Sequence, residues 1–61
     1  MMRWKILELA GKYSSVDEII AELEGNASLG LDRDAALDIL NLYKDTLSQD
    51  LQIEIENKLS L

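Results

Sequence analysis

The run Leu51-Gln52-Ile53-Glu54-Ile55-Glu56-Asn57-Lys58-Leu59-Ser60-Leu61 decides the fold, because its apolar residues satisfy two templates at once. Every odd position except Asn57 is apolar and every even position is polar, which is the alternation of a half-buried strand. Read at helical spacing, Leu47, Leu51, Ile55 and Leu59 line up at four-residue steps, but Ile53 then faces water. The alternation accounts for more of the apolar residues, so a C-terminal strand is expected, or a hairpin turning at Asn57-Lys58. The helical alternative stays open.

Upstream of this run the period is helical. Met2, Ile6, Leu9, Ala10 and Tyr13 mark a first helix over about 2 to 13. Ser15 stands three residues before Glu18, the capping-box pattern, and Val16, Ile19, Ile20 and Leu23 then form one apolar face of a second helix. Gly25 and Asn26 supply the backbone freedom to end it. Residues 25–31 form a connection whose Leu29 and Leu31 tuck beneath it, and Asp32 caps a third helix running to about Leu47. Its core stripe is Ala36, Ile39, Leu40, Tyr43 and Leu47, and its opposite stripe is Asp34, Asp38, Asn41 and Asp45. The expected class is mainly α, with a three-helix core and a C-terminal strand or hairpin, in a single small domain over 1–61. The alternative is an all-α four-helix domain.

Composition narrows the chemistry. Sixty-one residues support one small core. Cysteine and histidine are both absent, so disulfides, thiolate chemistry and a side chain titrating near neutrality are excluded. The hydroxyls of Ser14, Ser15, Ser28, Thr46, Ser48 and Ser60 have no histidine to activate them, and no enzyme and no cofactor is expected. Asp32, Asp34 and Asp38 share the start of an acidic calcium loop, but Leu37 stands where that loop needs glycine, so no metal is expected.

The net charge of −6 disfavours phosphate backbones and anionic lipids as partners, and no run of 18 apolar residues is available to cross a membrane. The charge is unevenly spread. Residues 1–13 hold Arg3, Lys5 and Lys12 against Glu8 alone, while residues 14–61 hold three cations against eleven carboxylates. Arg3 and Lys5 precede too short an apolar run for a secretory signal, so a cytoplasmic location is expected.

The runs Ile6-Leu7-Glu8-Leu9, Ser15-Val16-Asp17-Glu18-Ile19-Ile20-Ala21-Glu22-Leu23 and Gly30-Leu31-Asp32-Arg33-Asp34-Ala35-Ala36-Leu37 together resemble the helical core of a winged helix-turn-helix domain. The resemblance implies that the third helix is the recognition helix and that the terminal strands form the wing. Two features depart from it: residues 25–31 lengthen the turn before that helix, and Asp34, Asp38 and Asp45 occupy the face that would enter a DNA groove. The resemblance then implies a protein-interaction role.

The expected function is that of a small acidic protein-protein interaction module acting as a regulator, adaptor or inhibitor. The candidate partner-binding residues are Asp34, Asp38, Asn41 and Asp45, facing a basic protein surface, with Trp4 as an apolar anchor. The competing reading of the aspartates is a solvated helix face, and of Trp4 a core or edge residue. A homodimer is expected, because a lone strand over 51–55 needs a pairing partner. Two alternatives use the same residues differently. One is a DNA-binding regulator gripping phosphates with the N-terminal cations plus Arg33, Lys44 and Lys58; the other is an inhibitor whose row from Asp34 to Asp45 imitates nucleic acid. Nucleic acid and membrane are not expected as partners.

Overall fold

The computed structural model describes residues 2–60 and contains four helices: α1 Met2–Lys12, α2 Val16–Gly25, α3 Arg33–Leu42 and α4 Gln49–Leu59. A 3₁₀ turn, Lys44–Thr46, joins the last two. There is no strand among the described residues, so the class is all-α and the expected C-terminal strand, hairpin and wing are corrected to a helix.

The physical reason lies at Ser48. Its hydroxyl accepts the Leu51 N–H at 3.4 Å, and its carbonyl accepts from Gln52 at 3.0 Å, which caps α4 and closes its first turn. Asp50 in the first turn and Lys58 in the last both suit the helix dipole. The polar residues at even positions, Gln52, Glu54, Glu56 and Lys58, are good helix formers. A helix also satisfies its own backbone, whereas a strand here has no neighbour to pair with. Leu51 and Ile55 are buried, and Ile53 is left 48% exposed, the one clear cost of the helical solution. The turn expected at Asn57-Lys58 falls inside α4, and Leu61 lies outside the described residues.

The second and third helices begin where the caps placed them. Ser15 Oγ accepts the Asp17 N–H at 3.2 Å and Asp32 Oδ1 accepts the Ala35 N–H at 2.8 Å. The carboxylate that completes the start of α2 comes from elsewhere, however: Glu54 of α4 accepts the Val16 N–H at 3.1 Å. After α2, Asn26 Oδ1 accepts from the backbone and hydroxyl of Ser28, and Gly30 takes a positive φ of 64° that glycine adopts without strain.

The third helix is shorter than expected. It stops at Leu42, and the chain turns through Lys44–Thr46 instead of continuing to Leu47. Thr46 Oγ1 donates to the Tyr43 carbonyl at 2.8 Å and Gln52 Nε2 donates to the Leu47 carbonyl at 2.9 Å, so side chains take carbonyls that a continuing helix would use. Leu47 still reaches the core from the far side of the turn.

One hydrophobic cluster unites all four helices: Ile6 and Leu9 of α1, Val16, Ile19, Ile20 and Leu23 of α2, Ala36 and Leu40 of α3, Leu47, and Leu51 and Ile55 of α4. Leu29 and Leu31 pack against it from the α2–α3 connection, closing that side of the core.

Candidate functional site

The charged side chains fall into paired and unpaired groups. In the first, three helix ends converge on a single carboxylate. Asp17 in the first turn of α2 accepts from Arg33 Nη2 of α3 at 2.9 Å, and Lys58 Nζ of α4 lies 2.7 Å from the same oxygen. The hydrogen bonds from Lys58 and then Arg33 hold the Asp17 carboxyl below its ordinary range. Lys44 and Glu56 make a looser pair at 3.5 Å, tying the 3₁₀ turn to α4. Tyr13 donates its hydroxyl to Glu22 at 2.6 Å, and that bond, with some burial and the charges of Glu22 and Glu18, raises the phenol above its ordinary value.

The candidate aspartates enter none of these pairs, although Asp34 adjoins the junction and shares a surface depression with Arg33, Leu37 and Lys58. Asp34 and Asp38 are exposed on α3, one turn apart, and Asp45 is exposed on the 3₁₀ turn rather than on the helix. The expected single stripe is therefore broken at Tyr43. Asn41 is half-buried with its Oδ1 enclosed and without a hydrogen-bond partner among the described residues, so it does not stand beside the aspartates as an exposed contact. The place one turn beyond Asp38 is taken by Leu42, which is 70% exposed. Sequence reading missed Leu42, although the four-residue steps Asp34, Asp38, Leu42 were available to find it.

Trp4 is 76% exposed on the outer face of α1 and is neither a core nor an edge residue. With Lys5, Leu7 and Glu8 it lines one surface depression, and Lys5 pairs with Glu8 at 3.6 Å. The Arg3 guanidinium carbon lies 5.8 Å from the centre of the Tyr43 ring, so the basic start of α1 adjoins the end of α3. Trp4 and Leu42 are the two most exposed large apolar residues among those described.

Three of the cations named for phosphate binding are engaged with carboxylates: Arg33 and Lys58 with Asp17, Lys44 with Glu56. Among the described residues no helix is long and apolar enough to cross a membrane. The fold and surface define a small all-α domain with a charged, partly apolar outer face. No family model, curated protein or solved structure matches the chain.

Proposed function

We propose that this chain is a cytoplasmic protein-protein interaction module, a regulator, adaptor or inhibitor, whose acidic α3 side docks a basic protein surface and which also pairs with itself. One observation carries the reading: Asp34, Asp38 and Asp45 are exposed and take part in none of the ion pairs among the described residues. Arg33, Lys44 and Lys58 are nevertheless paired, with other carboxylates. Two like charges one turn apart on α3 oppose the helix by about 0.2–0.5 kcal/mol, a small cost that a cationic partner would reverse.

DNA binding draws little support from this layout, since Arg33, Lys44 and Lys58 are committed to carboxylates and the α3 face repels phosphate. Imitation of nucleic acid needs a regular row of charges, and the break at Tyr43 interrupts it.

The test is the triple variant Asp34→Asn, Asp38→Asn, Asp45→Asn. A protein retained from native lysate by the wild-type chain is purified, and its affinity is measured against both forms over a range of salt. Weaker binding and a flatter salt dependence by the triple variant, with an unchanged circular dichroism spectrum, support the reading. Equal affinity and equal salt slope overturn it.

A further inference from the structure

Gly11 lies in the last turn of α1, and nothing within the chain asks for glycine there. Its φ is not positive, so it is not the glycine that turns a chain out of a helix. A Cβ built on it would meet nothing within 4 Å, so no neighbour forbids a side chain. Glycine disfavours a helix relative to alanine, and the monomer gains no contact in return. What the position does offer is bare backbone that another backbone can approach closely.

Gly11 also continues the outer face of α1. Trp4, Leu7 and Gly11 recur at three- and four-residue steps, so they share one side of the helix. Trp4 and Leu7 are 76% and 39% exposed and line one depression with Lys5 and Glu8, while Gly11 lines the next with Lys12 and Asp50. Two bulky apolar side chains followed by an empty position make a ridge ending in a hollow, the relief into which a second helix packs.

The charges around this face select its occupant. Lys5 is answered by Glu8, and Arg33, Lys44 and Lys58 by other carboxylates, whereas Arg3 and Lys12 enter no ion pair among the described residues. Each lies near an aromatic ring instead, Arg3 at 5.8 Å from the centre of Tyr43 and Lys12 at 5.4 Å from that of Tyr13, which leaves its charge uncancelled. They stand at the two ends of the face, about 13 Å apart at 1.5 Å per residue. Asp50 shares the hollow with Lys12, so the Arg3 end is the more favourable to an anion.

We propose that the outer face of α1 docks an amphipathic helix of another protein, one whose apolar stripe covers Trp4 and Leu7, whose backbone passes close over Gly11, and whose flanking carboxylates meet Arg3 and Lys12. The described residues offer no strand edge to extend, so an incoming segment binds by the helical mode. A planar anionic lipid surface faces the field of the whole chain at net charge −6, whereas a helix of a few turns meets α1 locally. A second α1 would oppose Arg3 and Lys12 with like cations. The inference uses none of the α3 aspartates and does not rest on the acidic docking reading.

Trp4 is the only tryptophan, so its emission reports on this face. A display library of helical peptides about 18 residues long, each with a leucine stripe and flanks randomised among Glu, Lys and Gln, is panned against the whole chain. The enriched peptides should carry Glu in the flanks and, once synthesised, shift Trp4 emission to the blue on binding. By calorimetry, Trp4→Ala should raise the dissociation constant about tenfold or more, and Arg3→Glu should raise it more than Lys12→Glu does. Gly11→Leu gives the readout that a structural role would not: a higher thermal midpoint, because leucine favours the helix, together with about tenfold weaker binding, because the side chain fills the hollow. Circular dichroism on each variant confirms that the helices are intact.

Enrichment of Lys flanks or of no flank overturns the proposal, as does full affinity in Gly11→Leu. A blue shift that grows with protein concentration alone, alongside a dimer mass in sedimentation equilibrium, overturns it in favour of a second copy. A shift with vesicles of anionic phospholipid but with no peptide overturns it in favour of a lipid surface. The triple aspartate variant should bind the enriched peptides at least as well as the wild type, so failure on α1 and failure of the α3 docking reading are read separately.

Discussion

The start of α2 and the outward surfaces of α1 and α3 use similar residues for opposite ends. At the first, Asp17 meets Arg33 and Lys58, and Glu54 meets the Val16 N–H, so charges on α2, α3 and α4 are answered within the chain. At the second, Arg3 lies against an aromatic ring, Asp34, Asp38 and Asp45 enter no ion pair among the described residues, and Trp4 and Leu42 stand in water. The difference teaches that the acidic surplus is not uniformly disposed: some carboxylates are answered by cations of other helices, while Asp34, Asp38 and Asp45 enter no ion pair among the described residues, and the docking proposal is built on that contrast.

The sharpest way to break this comparison is to set a core deletion against one on the outward surface of α1. Ile55 is fully buried and belongs to the cluster shared by all four helices. Ile55→Ala should destabilise the fold by about 2–5 kcal/mol through lost burial and the cavity left behind. Trp4→Ala, measured by chemical denaturation at protein concentrations low enough to keep the chain monomeric, should change stability by no more than about 0.5 kcal/mol. Comparable losses for the two variants would mean that Trp4 supports the monomer, and the outward surface of α1 would no longer count as spare.

A smaller effect sharpens the same contrast between carboxylates. Glu54→Ala removes the part-buried acceptor of the Val16 N–H and a negative charge beside the positive end of α2, and should cost about 1–2 kcal/mol. Asp38→Ala, on the exposed side, should stay within about 0.5 kcal/mol of the wild type or stabilise it slightly by relieving the repulsion with Asp34. Thermal and urea unfolding on both variants check the pair. Equal losses would show that α3 uses Asp38 within the monomer.

How much of this was legible in the sequence differs between the same two regions. The apolar spacing of Ile6 and Leu9, and of Val16, Ile19, Ile20 and Leu23, located the faces of α1 and α2, and Ser15 and Asp32 located two helix starts, because caps and periodicity are local signals. The C-terminal run was misread because Leu51, Ile53 and Ile55 fit alternation as well as they fit a helix. Ser48 followed by Asp50 was the local sign that favoured the helix. The stop at Leu42 had no comparable sign. Tyr43 continues the apolar stripe, and the break comes with bonds made by Thr46 and Gln52 across a turn whose path the spacing does not show. The junction at Asp17 was equally hidden, since it joins three helices whose charges are far apart in sequence. For the candidate site, exposure of the aspartates followed from the stripe and the displacement of Asp45 follows from that unseen break, whereas the burial of the Asn41 oxygen had no sign in the spacing.

The gentlest probe of the comparison is pH. Asp17 has its carboxyl lowered from an ordinary value of 3.8 by hydrogen bonds from Lys58 and Arg33. In the unfolded chain those partners are gone and the group titrates normally. The unfolded state therefore binds the proton first as pH falls, and stability falls with it. The contribution is fully present above about pH 5, begins to disappear near 3.8 and is lost once the pH passes below the folded value. Because Asp17 is solvent-exposed, the effect should be small and weakened by salt. Asp17→Asn should flatten this part of the acid limb of the stability curve without changing its shape near neutrality. Lys58→Met should flatten it in the same way, since Lys58 supplies the larger of the two hydrogen-bond effects. Urea titrations between pH 3 and 7 on the three proteins at low ionic strength decide the matter. Superimposable curves would mean that the three-helix junction, although close in geometry, does not hold the helices together, and that its charges are as unengaged as those of the outward surfaces.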